Sequence, residues 1–235
     1  LAEAKLAVLA AATISTLLAA TVFRLVRLLP QAMRARQLGR TAEQIVDLAD
    51  DVDPAHDHIR GDEDGRVTLV EYANFECQYC GRAEPMVREL IAEWDDDLRY
   101  VFRHLPLADV HPNAQLAAEA TEAAHAQGQF WAMHDLLFAH QDDLDPASLS
   151  RWAGELGLDV DRFDDDLRRR RHAARVNADI SSADASGVSG TPSFFINGRR
   201  HQGPYDEATL SREVRVARVR AVAADLEAQR LAGQA

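Results

Sequence analysis

Along residues 66–75, "RVTLVEYANF", apolar and β-branched positions crowd together with few polar breaks, which predicts a strand in the middle of a sheet. Ala83, Met86, Val87, Leu90, Ile91 and Trp94 then recur at steps of three and four, the signature of an amphipathic helix. Strand character returns at 98–105, "LRYVFRHL". From Pro112 to about Ala185 the composition is helical, with stripes such as Phe130, Met133, Leu136 and Leu137. Asp145-Pro146 within it reads as an N-cap followed by a first-turn proline. The run "TPSFFINGRRHQG" (191–203) predicts a hairpin turning at Asn197-Gly198, and residues 206–228 predict a closing helix. Strand, helix, strand, helical block, hairpin and helix make an α/β class domain.

Two segments fall outside that rhythm. Leu6 to Phe23 carries no charged residue over 18 positions, close to the minimum for a membrane-spanning helix. A buried core helix is the plainer alternative. A signal peptide fits worse, since no cluster of positive residues precedes the stretch and no cleavage site follows it. Residues 41–65, including "DLADDVDPAHDHIRGDEDG", are acidic, hold Pro54, Gly61 and Gly65, and show neither helical nor strand period, so a connector is expected there.

Charge sharpens the division. The formal net charge is −12, yet residues 1–40 carry +5, leaving −17 for the rest. An acidic balance of that size argues against nucleic acid as a partner. "DDDLRRRRHAAR" (164–175) reads as a solvated helix face, because acids precede its arginines. Arg24, Arg27, Arg34, Arg36 and Arg40 follow the apolar stretch, against Lys5 alone before it, and by the positive-inside rule the downstream chain is expected in the cytosol. The chain opens on Leu1, so a fragment of a longer protein is expected.

The two cysteines, Cys77 and Cys80, lie two residues apart in "FECQYCGRAEP". A structural zinc needs four ligands, and the nine histidines are scattered, with His56 and His58 close together only in the connector. An inert bridge over so short a loop would remove little chain entropy. Redox exchange benefits from the short spacing, because the second thiol must reach a mixed disulfide on the first. Placed between a strand end and a helix, Cys77 falls at the helix N-terminus, where dipole and free N–H groups favour a thiolate. Cys77 is therefore expected to be the exposed, attacking sulfur, and Cys80, one turn in, the shielded, resolving one. Glu71 on the preceding strand is either a buried proton acceptor for Cys80 or a solvent-facing residue. His104 and His111 fall near the end of the second strand and call for no catalytic role; Phe130, Trp131 and Phe138 read as core.

These residues resemble the active site of the thioredoxin superfamily, in its DsbA-like branch. Pro85 stands eight residues after Cys77, where thioredoxins carry a kinking proline, and Glu71 stands six before it, where relatives hold a buried acid. "GVSGTPSFFING" (187–198) resembles the cis-proline strand, which implies that Thr191 and Pro192 face the cysteines and hold substrate, together with Gln78 and Tyr79. The helical block matches the insertion of the DsbA-like branch. Many relatives carry proline where Gln78 stands, which leaves the reduction potential open. Separately, "LAEAKLAVLAAATISTLLAATVFRLVRLLP" resembles the last transmembrane helix of an NhaA-type sodium/proton antiporter, and with the redox domain it resembles the end of fused antiporters in some bacteria.

The resulting expectation is a thioredoxin fold with a helical insertion, preceded by one transmembrane helix. It places a transmembrane helix at 1–30, a linker at 31–60 and the DsbA-like domain at 61–228. The expected function is that of a thiol–disulfide oxidoreductase in a bacterial inner membrane, its redox domain on the cytoplasmic side. Catalysis falls to Cys77, Cys80 and Glu71, with no metal and no dissociable cofactor. Expected partners are protein or small-molecule thiols and disulfides, the membrane through residues 6–29, and the antiporter domain in cis. A redox-sensing module with little turnover is the alternative from another class. A stand-alone anchored folding catalyst outside the cytosol is a third, which the arginines oppose.

Overall fold

The structure is a computed structural model that describes residues 47–94 and 96–232. The expected membrane helix at 1–30 and most of the expected linker lie outside these residues. Among the described residues no helix is long and apolar enough to cross a membrane.

Five strands form one sheet: β1 (His58–Gly61), β2 (Val67–Ala73), β3 (Leu98–His104), β4 (Ser193–Ile196) and β5 (Arg199–Arg200), in the order β1-β3-β2-β4-β5. β2 and β3 run parallel and the other neighbours antiparallel. Every residue of β2 is buried, as its unbroken apolar pattern requires of a strand covered on both faces. Helix α1 (Gln78–Glu93) is the crossover between β2 and β3, with Pro85 inside it and Cys80, Ala83, Val87 and Leu90 turned inward. The helical block resolves into α2 (Ala114–His125), α3 (Phe130–Ala139), α4 (Pro146–Glu155), α5 (Val160–Arg168) and α6 (Ala173–Ala185). The Asp145 side chain accepts from the N–H groups of Ala147 and Ser148, as the N-cap reading requires. Asn197 and Gly198 turn the β4–β5 hairpin with φ of 48° and 78°, the left-handed values a tight hairpin needs. Helix α7 (Glu207–Ala232) closes the chain.

The core has two parts, one on each face of the sheet. Val67, Leu69, Ala73, Tyr100 and Phe102 pack beneath α1 and the helical block. Val70, Tyr72, Val101 and Phe195 pack with Ala183 of α6 and Val188. Glu71 lies between Leu69 and Ala73 at two-residue steps, which sets it on the same, α1, face.

Residues 47–60, expected as linker, are built into this unit. Leu48 N–H donates to Gly198 O at 2.8 Å, and β1 pairs antiparallel with β3 along His58↔Phe102 to Gly61↔Arg99. Only His58 of β1 is fully buried, so this edge strand shows no apolar run. Its anchor is polar: Arg103, 3 % exposed, is held by both Asp57 oxygens at 2.8 Å and by the carbonyls of Asp50 and Asp51. The arginine-rich stretch at 164–175 is an ion-pair surface, with Asp165 meeting Arg168, Arg169 and Arg171 and with Arg170 reaching Glu119.

Candidate redox site

Cys77 is the N-cap of α1, with extended backbone (φ −78°, ψ 114°), and Cys80 follows in the first turn. At an N-cap the side chain stands over the N–H groups of the second and third helical residues, here Tyr79 and Cys80. The Cys77 thiol donates to Thr191 O at 3.4 Å. Ionised, the sulfur instead becomes an acceptor. The thiol makes no cap hydrogen bond to those N–H groups; on the thiolate, Cys80 first, then Thr191 and the N–H groups of Cys80 and Tyr79, favour the charge against burial and lower the Cys77 thiol to about 5. The Thr191 hydroxyl is buried with no other partner, which leaves it able to turn to that charge.

Cys80 goes the other way. Burial first, then its contact with Cys77 and the charge on Glu71, push its thiol well above the ordinary value. Two thiols three positions apart are thereby split into a ready thiolate and a reluctant one. Exposure does not separate them as the sequence suggested. Cys77 retains 4 % of its surface and Cys80 1 %. The strand end carrying Thr191 and the cis Thr191-Pro192 bond lies over Cys77, so polarity of the surroundings makes the difference. Gln78 and Tyr79 do face solvent, and the Arg82 guanidinium stacks on the Tyr79 ring at 4.6 Å.

Glu71 is 3 % exposed, which excludes the solvent-facing alternative. Burial raises its carboxyl to about 8; the Tyr100 hydroxyl, donating at 2.7 Å, opposes that rise, and nearby Glu84 and Cys77 add to it. Glu84 is itself raised by burial and paired with Arg88 at 2.7 Å. Neither Tyr100 nor Glu84 was singled out in the sequence, although Glu84 follows Cys80 by four residues on one helix face.

The loop before α1 is gripped from both sides. Asn74 meets His111 Nδ1 at 2.8 Å, and Glu76 accepts from Asn113 N–H at 2.7 Å and from its side chain at 3.1 Å. Opposite, Gln141 donates to the carbonyls of Phe75 and Cys77. His104, at the end of β3, lies away from this exchange. Its Nε2 and that of His58 both donate to Glu122 Oε1, at 3.0 and 2.7 Å. That trio has metal-ligand composition, as does Glu84 with His134 and Asp135. A guanidinium lies beside each: Arg175 is 3.9 Å from Glu122, and Arg60 and Arg88 bind Asp135. Both fit as polar supports of the core.

The thioredoxin family model, described simply as Thioredoxin, matches residues 54–215. The chain belongs to this family. Among solved structures, a thioredoxin-like oxidoreductase from Silicibacter pomeroyi DSS-3 is 30% identical, with TM-score 0.63 over 71% of this chain and 94% of that one. Wolbachia pipientis α-DsbA1 matches with TM-score 0.65 over 73% of this chain and 96% of its own. At 20% identity that likeness is one of fold, helical insertion included. Among curated proteins, the Na(+)/H(+) antiporter NhaA 3 of Salinispora tropica is 56% identical over 212 residues, 90% of this chain and 32% of the relative. NhaA of Herminiimonas arsenicoxydans is 44% identical over 210 residues, again 32% of its length. The chain thus spans about a third of the curated relatives it matches.

Proposed function

We propose that residues 47–232 are a thiol–disulfide oxidoreductase domain tethered to an NhaA-type sodium/proton antiporter. The observation that carries the chemistry is the placement of Cys77 at the N-cap of α1 with its thiol on Thr191 O, and of Cys80 buried in the first turn. The Cys77 thiolate attacks a substrate disulfide and forms a mixed disulfide, and the leaving sulfur takes a proton. Cys80 then gives up its proton and attacks Cys77, releasing the second substrate thiol and closing Cys77–Cys80. Glu71 is the proton acceptor in that second step. Its carboxyl is raised partly by the Cys77 charge, so it ionises more readily once Cys77 is in the mixed disulfide. Thr191, Pro192, Gln78 and Tyr79 receive the substrate chain.

A thiolate near 5 lies between the thioredoxin value of about 7 and the DsbA value of about 3.5. A potential between theirs, about −270 and −120 mV, is therefore expected for this pair. Stability follows the same linkage. Because the folded thiol is depressed, its stabilisation of the reduced protein is complete above the unfolded value near 9 and is lost as pH falls through about 5. The test is alkylation of the reduced protein across pH, combined with insulin turnover and a redox titration. Half-maximal labelling of Cys77 near 5, turnover of insulin, and a potential between about −270 and −120 mV are expected. Labelling that rises only near 8.5–9 would remove the basis of the proposal.

The NhaA-named relatives and the apolar stretch before Arg24 support a membrane tether, and the five following arginines support a cytosolic redox domain. In that orientation the redox-sensing alternative gains a specific argument. A pair whose potential lies above that of a glutathione pool at about −260 mV rests reduced. It becomes oxidised when the pool does. Reporter fusions after Ala235 in the full-length protein decide the side, with a fluorescent cytosolic reporter and an inactive periplasmic phosphatase expected. The reverse result overturns the cytosolic placement and with it the sensor.

A further inference from the structure

One residue of the helical insertion reaches the redox loop with unusual economy. Gln141 lies in the short connection between α3 and α4, half-buried. Its Nε2 donates to Phe75 O at 2.7 Å and to Cys77 O at 2.9 Å. Two carbonyl acceptors fix which end of the amide is nitrogen, since a flipped amide would set Oε1 against two oxygens. The Cys77 carbonyl also accepts the first helical bond, from Gly81 N at 3.0 Å. One side chain therefore holds the carbonyls on both sides of residue 76, the second of them that of the N-cap itself.

The oxygen end of the amide lies against Gly81. A Cβ built there would fall 1.9 Å from Gln141 Oε1 and 2.6 Å from Cδ. Gly81 has no other reason in sight to be glycine. It is inside α1, its φ is not in the left-handed region, and alanine would ordinarily favour a helix at such a position. The atoms in the way are the end of a flexible side chain, so a methyl group there would push the amide aside rather than break the helix.

We propose that Gln141 is a positioning residue for the reacting thiol: it fixes the backbone that aims Cys77 at the helix N-terminus, and Gly81 is the space that admits it. The physical route is short. The Cys77 sulfur meets Thr191 O at 3.4 Å and stands at the N-terminal end of the first turn, and that placement depends on where the residue's own backbone sits. Phe75 is 1 % exposed and packed on Phe102 and Phe138, so its carbonyl is a firm point from which the amide spans to Cys77. Without the amide, Cys77 keeps its helix bond but loses its tie to the insertion. The thiolate then samples poses away from its donors.

This rests on the reading of Cys77 as the attacking thiol. The experiment is alkylation of Cys77 across pH in four reduced proteins: wild type, Gln141→Met, Gly81→Ala and the double variant. Methionine keeps length and bulk but donates nothing; alanine at 81 leaves Gln141 present but displaced. Each single variant is expected to raise the labelling midpoint by about one unit, a tenfold shift toward the thiol. The double variant is expected to match the larger single, because both remove the same contact. Midpoints unmoved in both singles, or a double shift equal to their sum, overturns the proposal. Variants whose melting temperature changes while the midpoint stays put would show Gln141 to be structural only, which also overturns it. A wild-type midpoint near 8.5–9 would instead sink the reading of Cys77 itself.

Discussion

Asp57→Ala is expected to destabilise the domain by about 3–5 kcal/mol, a loss of roughly 6–20 °C in melting temperature. Arg103 is buried on the α6 face of β3, and Asp57 supplies the carboxylate that meets its charge, Nε to Oδ1 and Nη2 to Oδ2, both at 2.8 Å. The Tyr72 hydroxyl and Ser182 Oγ, each at 3.1 Å, occupy the remaining donors with the two backbone carbonyls. Removing the carboxylate leaves a guanidinium that must stay charged in a site closed to water. The pair itself need not be worth that much, since two apolar side chains of like volume can do as well. Arg103→Met combined with Asp57→Ala should therefore recover a large part of the loss. A chemical denaturation series measures this. A cost below about 1 kcal/mol for Asp57→Ala would mean that residues 47–57 are held by something other than this pair.

That ion pair also shows where the sequence was readable and where it was not. β2, α1 and β3 were legible because both sheet faces are covered there, so burial writes itself as apolar runs and helical stripes. The same holds for Asp145-Pro146 and Asn197-Gly198, whose residue types answer local backbone demands. β1 was missed because it is a short edge strand that buries His58 alone, and its neighbours dock through charges and carbonyls. No hydrophobic period records such a contact. At the site, spacing and element boundaries were enough to place Cys77 at the N-cap. They could not show that Thr191 covers it, because that contact joins residues 114 positions apart. Tyr100 and Gln141 were invisible for the same reason: each acts through one hydrogen-bonding group delivered by the fold, from positions with no motif around them.

Cys80→Ser is expected to accumulate mixed disulfides on Cys77, and Cys77→Ser to trap at least about tenfold less at pH 6. Thiol reactivity depends on both the ionised fraction and the strength of the nucleophile. At pH 6 a thiol near 5 is about nine-tenths ionised, whereas one above 9 is ionised to about 0.1% or less, a ratio near 1,000. The more basic sulfur is intrinsically the better nucleophile, by roughly 60-fold over four units at a Brønsted slope of about 0.45. Electrostatics alone thus leaves a gap of at least about tenfold, and it narrows as pH rises. The substitutions do not erase the asymmetry. A serine at 80 can still donate a hydrogen bond to the Cys77 thiolate, and the N–H groups of the first turn stay in place. With serine at 77, Cys80 loses its neighbour's influence but keeps the first cause of its raised value, burial, and keeps Glu71 beside it. Trapping by Cys80→Ser should be nearly flat above pH 6, while trapping by Cys77→Ser should climb steeply toward pH 9. Capture on non-reducing gels, with the bound cysteine mapped by mass, measures both. Equal trapping at pH 6, or a flat profile for Cys77→Ser, would show that the two sulfurs share the attack and that the N-cap position confers no preference.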